Sequence, residues 1–154
     1  MKVENTGLNA LASPLSDYLA GEELFLGALF GIDEHGKAVL ADNTSSKKIY
    51  AVGVVTKGDF VEAGAGYKDE YTGAKRVNNK RVPAERFAVL FDPEDVSGLK
   101  KAGLKVGQAV YLGKKGKLEA KKPSDSSAVQ KVGYVADLNQ GIKIAIMIDS
   151  FDVE

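Results

Sequence analysis

The chain has 154 residues, a length that suits one domain able to bury roughly 70% of its unfolded surface without help from a disulfide or a metal. Apolar residues make up 44% and charged residues 27%, which excludes a wholly disordered chain. The 21 Lys and Arg balance the 21 Asp and Glu, and cysteine is absent. This composition excludes a general attraction to nucleic acid, a thiolate nucleophile and a cysteine-based zinc site.

Residues 1–20 differ from the rest of the chain, because four leucines are scattered among small and polar residues and Pro14 interrupts any helix. Burying four leucines returns about 1.5–3 kcal/mol each, whereas ordering the segment costs on the order of 1–2 kcal/mol per residue. We therefore predict an extended N-terminal arm that becomes ordered through backbone pairing or through another chain. The alternative is a frayed terminus with a short packed helix. The apolar side chains that the arm offers to a partner are Leu8, Leu11, Leu15, Tyr18 and Leu19.

The remainder of the chain, 21–154, is predicted to form a single domain built from short strands. Runs rich in Val, Ile, Leu, Phe and Tyr are separated by Gly, Asp, Asn and Ser, a pattern typical of strands and turns. Their spacing, without alternating helices, predicts an all-β sandwich or small barrel. The predicted strands are Glu23–Phe30, Ala38–Leu40, Ile49–Val55, Phe87–Phe91, Ala109–Leu112, Gln130–Val135 and Ile142–Ile148.

One short helix is predicted in 93–102. Asp92 offers an N-cap, Pro93 suits the first helical position, and two acidic residues follow in the first turn. Gly98 and Gly103 limit this helix to a turn or two.

A weak internal repeat relates two parts of the chain at a constant offset of 80 residues. Gly36-Lys37 precedes a short strand, a polar stretch and then Val52-Gly53, and Gly116-Lys117 precedes the same features, which end in Val132-Gly133. Glycine in such turns tolerates positive φ, and the later glycine lets a strand bend or another backbone approach closely. The alternative is coincidence, because Gly and Lys are abundant in this chain.

Residues 62–86 are predicted to form an irregular loop inserted in the domain. Two tyrosines, Tyr67 and Tyr71, precede a basic cluster, Lys75–Arg86, in this loop. The candidate contact residues are Tyr67, Tyr71, Lys75, Arg76, Lys80 and Arg81, and Arg86 ends the cluster. Basic residues interleaved with aromatic ones can bind single-stranded nucleic acid, and a small barrel would present them well. Glu85 inside the cluster and Asp69 and Glu70 ahead of it favour a solvated loop or contact with an acidic partner protein. A nucleic-acid- or carbohydrate-binding module is therefore the alternative function.

The sequence contains no recognisable catalytic or metal-binding constellation. The only histidine, His35, lies in a predicted turn, which lacks the shelter that a catalytic triad requires. The carboxylates are dispersed, and neither a phosphate-binding loop nor a calcium loop occurs. No run approaches the ~20 apolar residues of a membrane span, and a secretory signal is not evident. We expect no enzymatic activity, no cofactor, no membrane partner, and a chain that stays in the compartment where it is made.

The segment from Gly103 to Gly113 and its continuation resemble the β-barrel segment of capsid decoration (cement) and head-associated proteins of tailed bacteriophages. In that pattern, a valine-tyrosine-leucine strand is followed by a glycine-rich hairpin, a proline-bearing loop, a valine-glycine-hydrophobic strand and a closing strand. The matching residues are Val110-Tyr111-Leu112, Gly116-Lys117-Leu118, Pro123, Val129–Val135 and Ile142–Ile148. The stretch from Ala20 to Val55 is similar to the first half of the same pattern, and residues 1–19 and 62–100 do not follow it.

The resemblance implies a β-tulip or related barrel without enzymatic activity, which assembles into homotrimers on the exterior of a virion capsid. Such trimers sit at three-fold positions of an expanded shell and clamp neighbouring major capsid proteins, commonly with an N-terminal arm. It also implies synthesis in the host cytoplasm and no nucleic-acid partner. The expected contact surfaces are then the leucines of the arm and the 62–86 loop.

Overall fold

Two antiparallel β-sheets make up the computed structural model, which describes residues 2–4, 19–55, 84–92 and 98–148. The strands are β1 (Lys2–Glu4), β2 (Leu29–Ile32), β3 (Ala38–Leu40), β4 (Gly53–Val55), β5 (Ala84–Glu85), β6 (Phe87–Asp92), β7 (Ala109–Leu112), β8 (Leu118–Glu119), β9 (Lys131–Asp137) and β10 (Ile142–Met147). The larger sheet has the order β1-β6-β10-β9-β7-β8, and the smaller has the order β3-β2-β4-β5.

The predicted all-β class is confirmed, whereas the predicted closed barrel is wrong. Among the described strands the order of each sheet is linear, with β1 and β8 at the ends of the larger sheet and β3 and β5 at the ends of the smaller. A barrel would require the two end strands of one sheet to pair. Here residues of both sheets instead share one buried core, so the apolar faces are covered by stacking.

The short helix predicted in 93–102 is absent from the part of that range that the structure describes, 98–102. Gly98 has a φ of +92° and Gly103 a φ of +84°, values that belong to turns. Leu99, between them, is buried in the shared core. The two glycine turns on either side of Leu99 leave no room for a helix over 98–102, and residues 93–97 lie outside the described residues.

Each predicted strand overlaps an observed one, and five of the seven agree within two residues at each end. The strand expected at Glu23–Phe30 begins only at Leu29, because Gly27, with a φ of +82°, lies in a turn. The strand expected at Ile49–Val55 is regular only over Gly53–Val55. The two-residue strands β5 and β8 were not predicted, since two residues are too few to display an alternating pattern.

The internal repeat is confirmed by the strand register. We call residues 20–55 the first copy and residues 100–135 the second copy. The hairpin β2–β3 with β4 in the first copy matches the hairpin β7–β8 with β9 in the second, in the same order. Equivalent cross-strand pairs are Ile32–Ala38 and Leu112–Leu118, and Leu29–Val54 and Ala109–Tyr134. The turn glycines agree as well, with a φ of +75° at Gly36 and +76° at Gly116.

The two copies contain equivalent hairpins, and each copy places the opposite face of its hairpin in one shared core. The first copy contributes Leu29, Ala41, Ala51 and Val54. The second copy contributes Val110, Leu112, Leu118, Val132 and Val135. The first-copy equivalents of those five, Phe30, Ile32, Ala38, Val52 and Val55, belong to a separate cluster. Because side chains alternate across a strand, we call the side of Leu29 and its equivalent Ala109 face A, and the side of Phe30 and its equivalent Val110 face B.

Buried polar side chains join the two copies at their junction. The side-chain amide of Gln130 accepts a hydrogen bond from Ala51 N (2.7 Å) and donates one to Ala51 O (2.8 Å). The amide of Asn43 donates to Leu112 O (2.9 Å). In the part of the chain that the structure describes, every buried side-chain nitrogen and oxygen has a partner. The junction is therefore fixed by directional bonds as well as by packing.

The turn of the second copy docks on the first copy. Gly116 N donates to Ala41 O (2.6 Å), and Gly116 O accepts from Leu29 N (2.9 Å). A Cβ at Gly116 would lie 2.9 Å from Leu40 Cδ2 and 3.0 Å from Leu29 O. In contrast, a Cβ at the equivalent Gly36 would meet no atom within 4 Å. One turn is thus part of the junction, and its equivalent is open.

Both ends of the predicted N-terminal arm are described, and both are paired with the body of the protein. β1 pairs antiparallel with β6 at the end of the larger sheet. Leu19 O accepts a hydrogen bond from Ala38 N (2.8 Å), and Ala20 forms a parallel bridge with Ala38. Backbone pairing within the chain therefore orders these ends, and residues 5–18 lie outside the described residues.

Candidate interaction surfaces

Leu19 is the single predicted partner-binding residue that the structure describes. Its side chain is 39% exposed at the start of the first copy. The other predicted contact residues lie outside the described residues: Leu8, Leu11, Leu15, Tyr18, Tyr67, Tyr71, Lys75, Arg76, Lys80 and Arg81. Of the predicted loop 62–86, only its end is described, where β5 pairs with β4.

The turn that carries the only histidine is ordered by a carboxylate. Asp33 Oδ1 accepts hydrogen bonds from the backbone N–H groups of Lys37 (2.9 Å) and His35 (2.8 Å). The hydrogen bond from Lys37 N is the main cause that lowers the pKa of Asp33, and the bond from His35 N lowers it further. Desolvation acts in the opposite direction and does not offset these bonds. His35 Nε2 lies 3.5 Å from Glu34 Oε1, and 74% of the histidine side chain is exposed. The geometry agrees with a solvated turn residue.

The described residues contain no group of three or more His, Cys, Asp or Glu side chains placed to hold a metal ion. Over the same ranges, no helix has the length and apolar character needed to cross a bilayer. The features that distinguish the described surface are its charge distribution and its exposed apolar area.

Equivalent segments of the two copies carry opposite charge. Residues 20–42 contain five carboxylates and one lysine, and residues 100–122 contain eight lysines and one glutamate, so their formal net charges are −4 and +7. All eight of these lysines are exposed. The zero net charge of the chain therefore conceals two strongly charged surfaces of opposite sign.

Two lysines and one glutamate, Glu119, lie around an open cavity of about 460 Å³ in and beside the second copy. Lys100 and Lys121 line this cavity, and its apolar lining includes Leu99, Leu104 and Leu118. We define the lysine face as these two residues and their neighbours in the chain: Lys100, Lys101, Lys105, Lys121 and Lys122. A concave apolar floor with a cationic rim fits an acidic protein surface or a phosphate-bearing chain.

Face A of the second copy is open. A cavity of about 350 Å³ on this face is lined by Gly107, Ala109, Lys131, Gly133, Tyr134 and Met147. Tyr134 is 44% exposed and Met147 is 45% exposed. Five of these six lining residues belong to the repeat, since Met147 lies outside it. Their equivalents in the first copy are all buried: Gly27, Leu29, Ala51, Gly53 and Val54. The same face is thus covered in one copy and accessible in the other.

Face B of the first copy is open at its edge. A cavity of about 640 Å³ there is lined by Ile32, Asp33, Glu34, Lys47, Lys48, Ile49, Tyr50 and Val52. Tyr50 is 36% exposed, and the other three apolar lining residues are half-buried. The second-copy equivalents of the four apolar residues are Leu112, Val129, Gln130 and Val132, which are all buried. Only this edge of face B is accessible, because Phe30, Ala38 and Val55 at its centre are buried together with Ala20, Leu24 and Ala28.

Sequence reasoning missed the lysine face and the two open faces. A signal for the lysine face was present in the sequence, because aligning the copies at the offset of 80 places Lys122 of that face against Asp42. No such signal distinguishes Tyr134 from its equivalent Val54, since both are apolar strand residues. Which of them is covered depends on how the copies stack.

Comparison of the sequence with protein-family models and with curated proteins, and a search of the solved structures, found no match.

Proposed function

We propose that this chain is a capsid decoration (cement) protein of the tailed-bacteriophage type, non-enzymatic and homo-oligomeric. It binds the exterior of a viral shell and stabilises the shell by clamping neighbouring coat subunits. The observation that carries the proposal is a duplicated β body whose equivalent surfaces are opposite in charge and open at different faces. The resemblance of the Gly103–Gly113 segment and its continuation to decoration proteins supplies the viral setting and the expectation of a trimer.

The lysine face is the surface proposed to meet the coat protein. Its lysines are exposed, and Lys100 and Lys121 flank a concave apolar floor. Charges at the rim of an interface steer association and select partners, while an apolar centre supplies most of the affinity. An acidic patch on the coat protein, beside a small apolar protrusion, is the chemistry that fits this surface.

When many copies of the protein bind one shell, the stabilising effects of their separate contacts add up. A homo-oligomer that touches several coat subunits gains avidity through effective concentration, so each single contact can be modest. Two stacked sheets with a shared core provide a stiff body, which transmits tension between the subunits that it joins. A stiff, multivalent binder raises the free energy needed to separate neighbouring subunits.

The test is binding of the full chain to expanded tailed-phage shells that lack their own decoration protein. We expect saturable binding that weakens as salt rises, and shells that disrupt at a higher temperature when coated. The double variant Lys100→Glu/Lys121→Glu is expected to bind at least tenfold more weakly. Lys114→Glu/Lys115→Glu, which makes the same charge change on two exposed lysines outside the lining of the three cavities described above, serves as the control. Absence of binding to every shell tested, or equal binding by the two double variants, would contradict the proposal.

The N-terminal leucines are a second proposed contact with the coat. Because β1 pairs with β6, the test substitutes Leu8, Leu11 and Leu15 by Ser and leaves β1 intact. We expect the triple variant to stay folded and to bind shells more weakly. Unchanged shell affinity would remove the arm from the proposal.

Nucleic-acid binding is the second candidate function, and the lysine face favours it. Eight exposed lysines within 100–122 could track a phosphate backbone. A titration with single-stranded DNA at low and high salt separates the two candidates. Tight binding that falls steeply with salt and is lost in Lys100→Glu/Lys121→Glu would favour nucleic acid over the coat protein.

A further inference from the structure

We infer that the lysine face binds its partner through a carboxylate, which accepts a hydrogen bond from the backbone N–H of Ala120 between Lys100 and Lys121. This inference rests on the proposed function and deepens it, because it names the chemical group of the coat protein that the lysine face recognises. The observation behind it is a difference between the two copies at one strand edge.

In the first copy, the outer edge of β3 is closed by residues of the same chain. Ala38 N donates a hydrogen bond to Leu19 O (2.8 Å), and Gly21 N donates one to Ala38 O (2.7 Å). At the next outward N–H of this strand, Glu22 Oε1 accepts a hydrogen bond from Leu40 N (2.6 Å). A carboxylate is therefore the acceptor for the last backbone donor of this edge.

In the second copy, the equivalent edge lacks this carboxylate. At the offset of 80, Ala102 stands in place of Glu22 and Ala120 in place of Leu40, and both alanines line the cavity of the lysine face. Ala120 O accepts a hydrogen bond from Gln108 Nε2 (3.3 Å), whereas no atom in the described part of the chain accepts one from Ala120 N. A half-buried backbone donor without an acceptor is a place where an external acceptor can bind.

Two further differences place cations around this donor. Lys100 and Lys121 stand where the first copy has Ala20 and Ala41, which are both buried. In the second copy both lysines are exposed, and they line the same cavity as Ala120. The copy without its own carboxylate thus carries the positive charge that attracts one.

Among the described residues that line this cavity, Glu119 is the one carboxylate, and it does not take the place of Glu22. Side chains alternate along a strand, so Glu119 and Leu118 lie on opposite faces of β8. The Glu119 side chain passes Gly113, where an added Cβ would lie 3.1 Å from Glu119 Cγ. The acceptor for Ala120 N–H must therefore come from a partner.

The apolar floor of the cavity defines a second feature of the partner. Leu99, Leu104 and Leu118 line the cavity, and its volume of about 460 Å³ lies within the range typical of ligand pockets. The matching coat segment carries an aspartate or glutamate next to an exposed apolar side chain. The carboxylate then bonds to the backbone N–H between the lysines, and the apolar side chain contacts the leucines. Such charge-assisted bonds are stronger than those of a neutral amide.

Proton–nitrogen NMR of the full chain tests the carboxylate position directly. Titration with acetyl-Leu-Glu-amide is expected to move the amide proton of Ala120 downfield until the shift saturates. The matched probe acetyl-Leu-Gln-amide keeps the shape and lacks the charge, so it is expected to bind at least tenfold more weakly. Ala102→Glu supplies the carboxylate within the chain. Its Ala120 amide proton is therefore expected to lie downfield before any addition and to move no further.

The same variant connects this position to shell binding. Ala102→Glu is expected to bind expanded shells at least tenfold more weakly than the native chain, because its own carboxylate occupies the site. Gln140→Glu makes the same unit change in charge at an exposed residue outside the linings of the three cavities, and it is expected to bind like the native chain. Circular dichroism of both variants verifies that they are folded.

An Ala120 amide that does not respond to acetyl-Leu-Glu-amide, or equal affinities for the two probes, would overturn the inference. So would binding of Ala102→Glu to shells as tight as that of Gln140→Glu. The two proposals fail separately. The expected NMR response in a chain that binds no shell contradicts only the decoration role, whereas shell binding without that response contradicts only the carboxylate site.

Discussion

The first copy, residues 20–55, and the second copy, residues 100–135, have the same strand register and bury opposite faces. Leu29 and Val54 are inaccessible in the first copy, whereas Ala109 and Tyr134 at the equivalent positions are at least partly exposed. The first copy has five carboxylates and three lysines, whereas the second has nine lysines and two carboxylates. Backbone geometry has thus been retained where strands pair, while side chains have changed according to which face meets the other copy.

The two hairpin turns show how one backbone turn is stabilised in two ways. In the first copy, Asp33 supplies a carboxylate that accepts two backbone N–H groups of its own turn. The second copy has Gly113 at that position, and the backbone of its Gly116 bonds to Leu29 and Ala41 of the first copy. A turn whose N–H groups bond to its own side chain is stable when it is exposed to water. A turn without such an acceptor is stabilised by hydrogen bonds to a neighbouring segment.

The largest expected effect comes from adding a methyl group to the docked turn. Both Gly116→Ala and Gly36→Ala place an alanine at a φ near +75°, which costs about 1–2 kcal/mol. At Gly116 the new Cβ also presses on Leu40 and on Leu29 O, which adds about 1–3 kcal/mol. Urea unfolding of both variants is expected to give a clearly larger loss of unfolding free energy for Gly116→Ala. Equal losses would mean that the docked turn contributes nothing to the junction.

The buried amide between the copies gives the next largest effect. Gln130→Ala leaves the backbone N–H and C=O of Ala51 without their partner in a buried site, which is expected to cost about 2–4 kcal/mol of unfolding free energy. The control is Gln108→Ala, because the Gln108 amide is half-buried and bonds to Lys105 N and Ala120 O within its own copy. We expect this control to lose about 1 kcal/mol or less. A thermal or urea series that ranks the two variants in the opposite order would be inconsistent with a junction held by Gln130.

The smallest expected effect depends on pH. The pKa of Asp33 is lowered in the folded protein, so its charged form stabilises the fold above the ordinary pKa of about 4 and this contribution is lost as the pH falls through the folded value. Asp33→Asn keeps an acceptor oxygen and removes the charge. We expect its melting temperature to lie slightly below that of the native chain at pH 7, with the difference vanishing near pH 2.

Glu34→Gln removes a neighbouring charge from the same turn and separates the effect of Asp33 from a general change in charge. A melting-temperature difference between Asp33→Asn and the native chain that stays constant from pH 7 to pH 2 would show that the Asp33 carboxylate does not act in this way.

The sequence predicted the strands and the repeat because both depend on local patterns. Alternating apolar runs located Ala109–Leu112 and Ile142–Ile148, and the paired Gly-Lys turns located the duplication. The closed barrel, and the part of the predicted helix that the structure describes, 98–102, were wrong for a different reason. Closure depends on which end strands meet, and the helix signals around Pro93 do not reveal that Leu99 is needed in the core.

The candidate surfaces were predictable only in part. Opposite charges at equivalent positions, such as Glu34 and Lys114, can be read once the copies are aligned. The exposure of Tyr134 cannot, because the same strand position is buried in the first copy. That difference arises from the stacking of the copies, which no local pattern encodes.

The most direct test of this account is the affinity of the native chain and of Lys100→Glu/Lys121→Glu for expanded tailed-phage shells that lack their own decoration protein. The account predicts saturable binding by the native chain that weakens as salt rises, and binding by the double variant that is at least tenfold weaker, because the lysine face is proposed to meet the coat protein. No saturable binding by the native chain, or equal binding by the native chain and the double variant, would contradict the account.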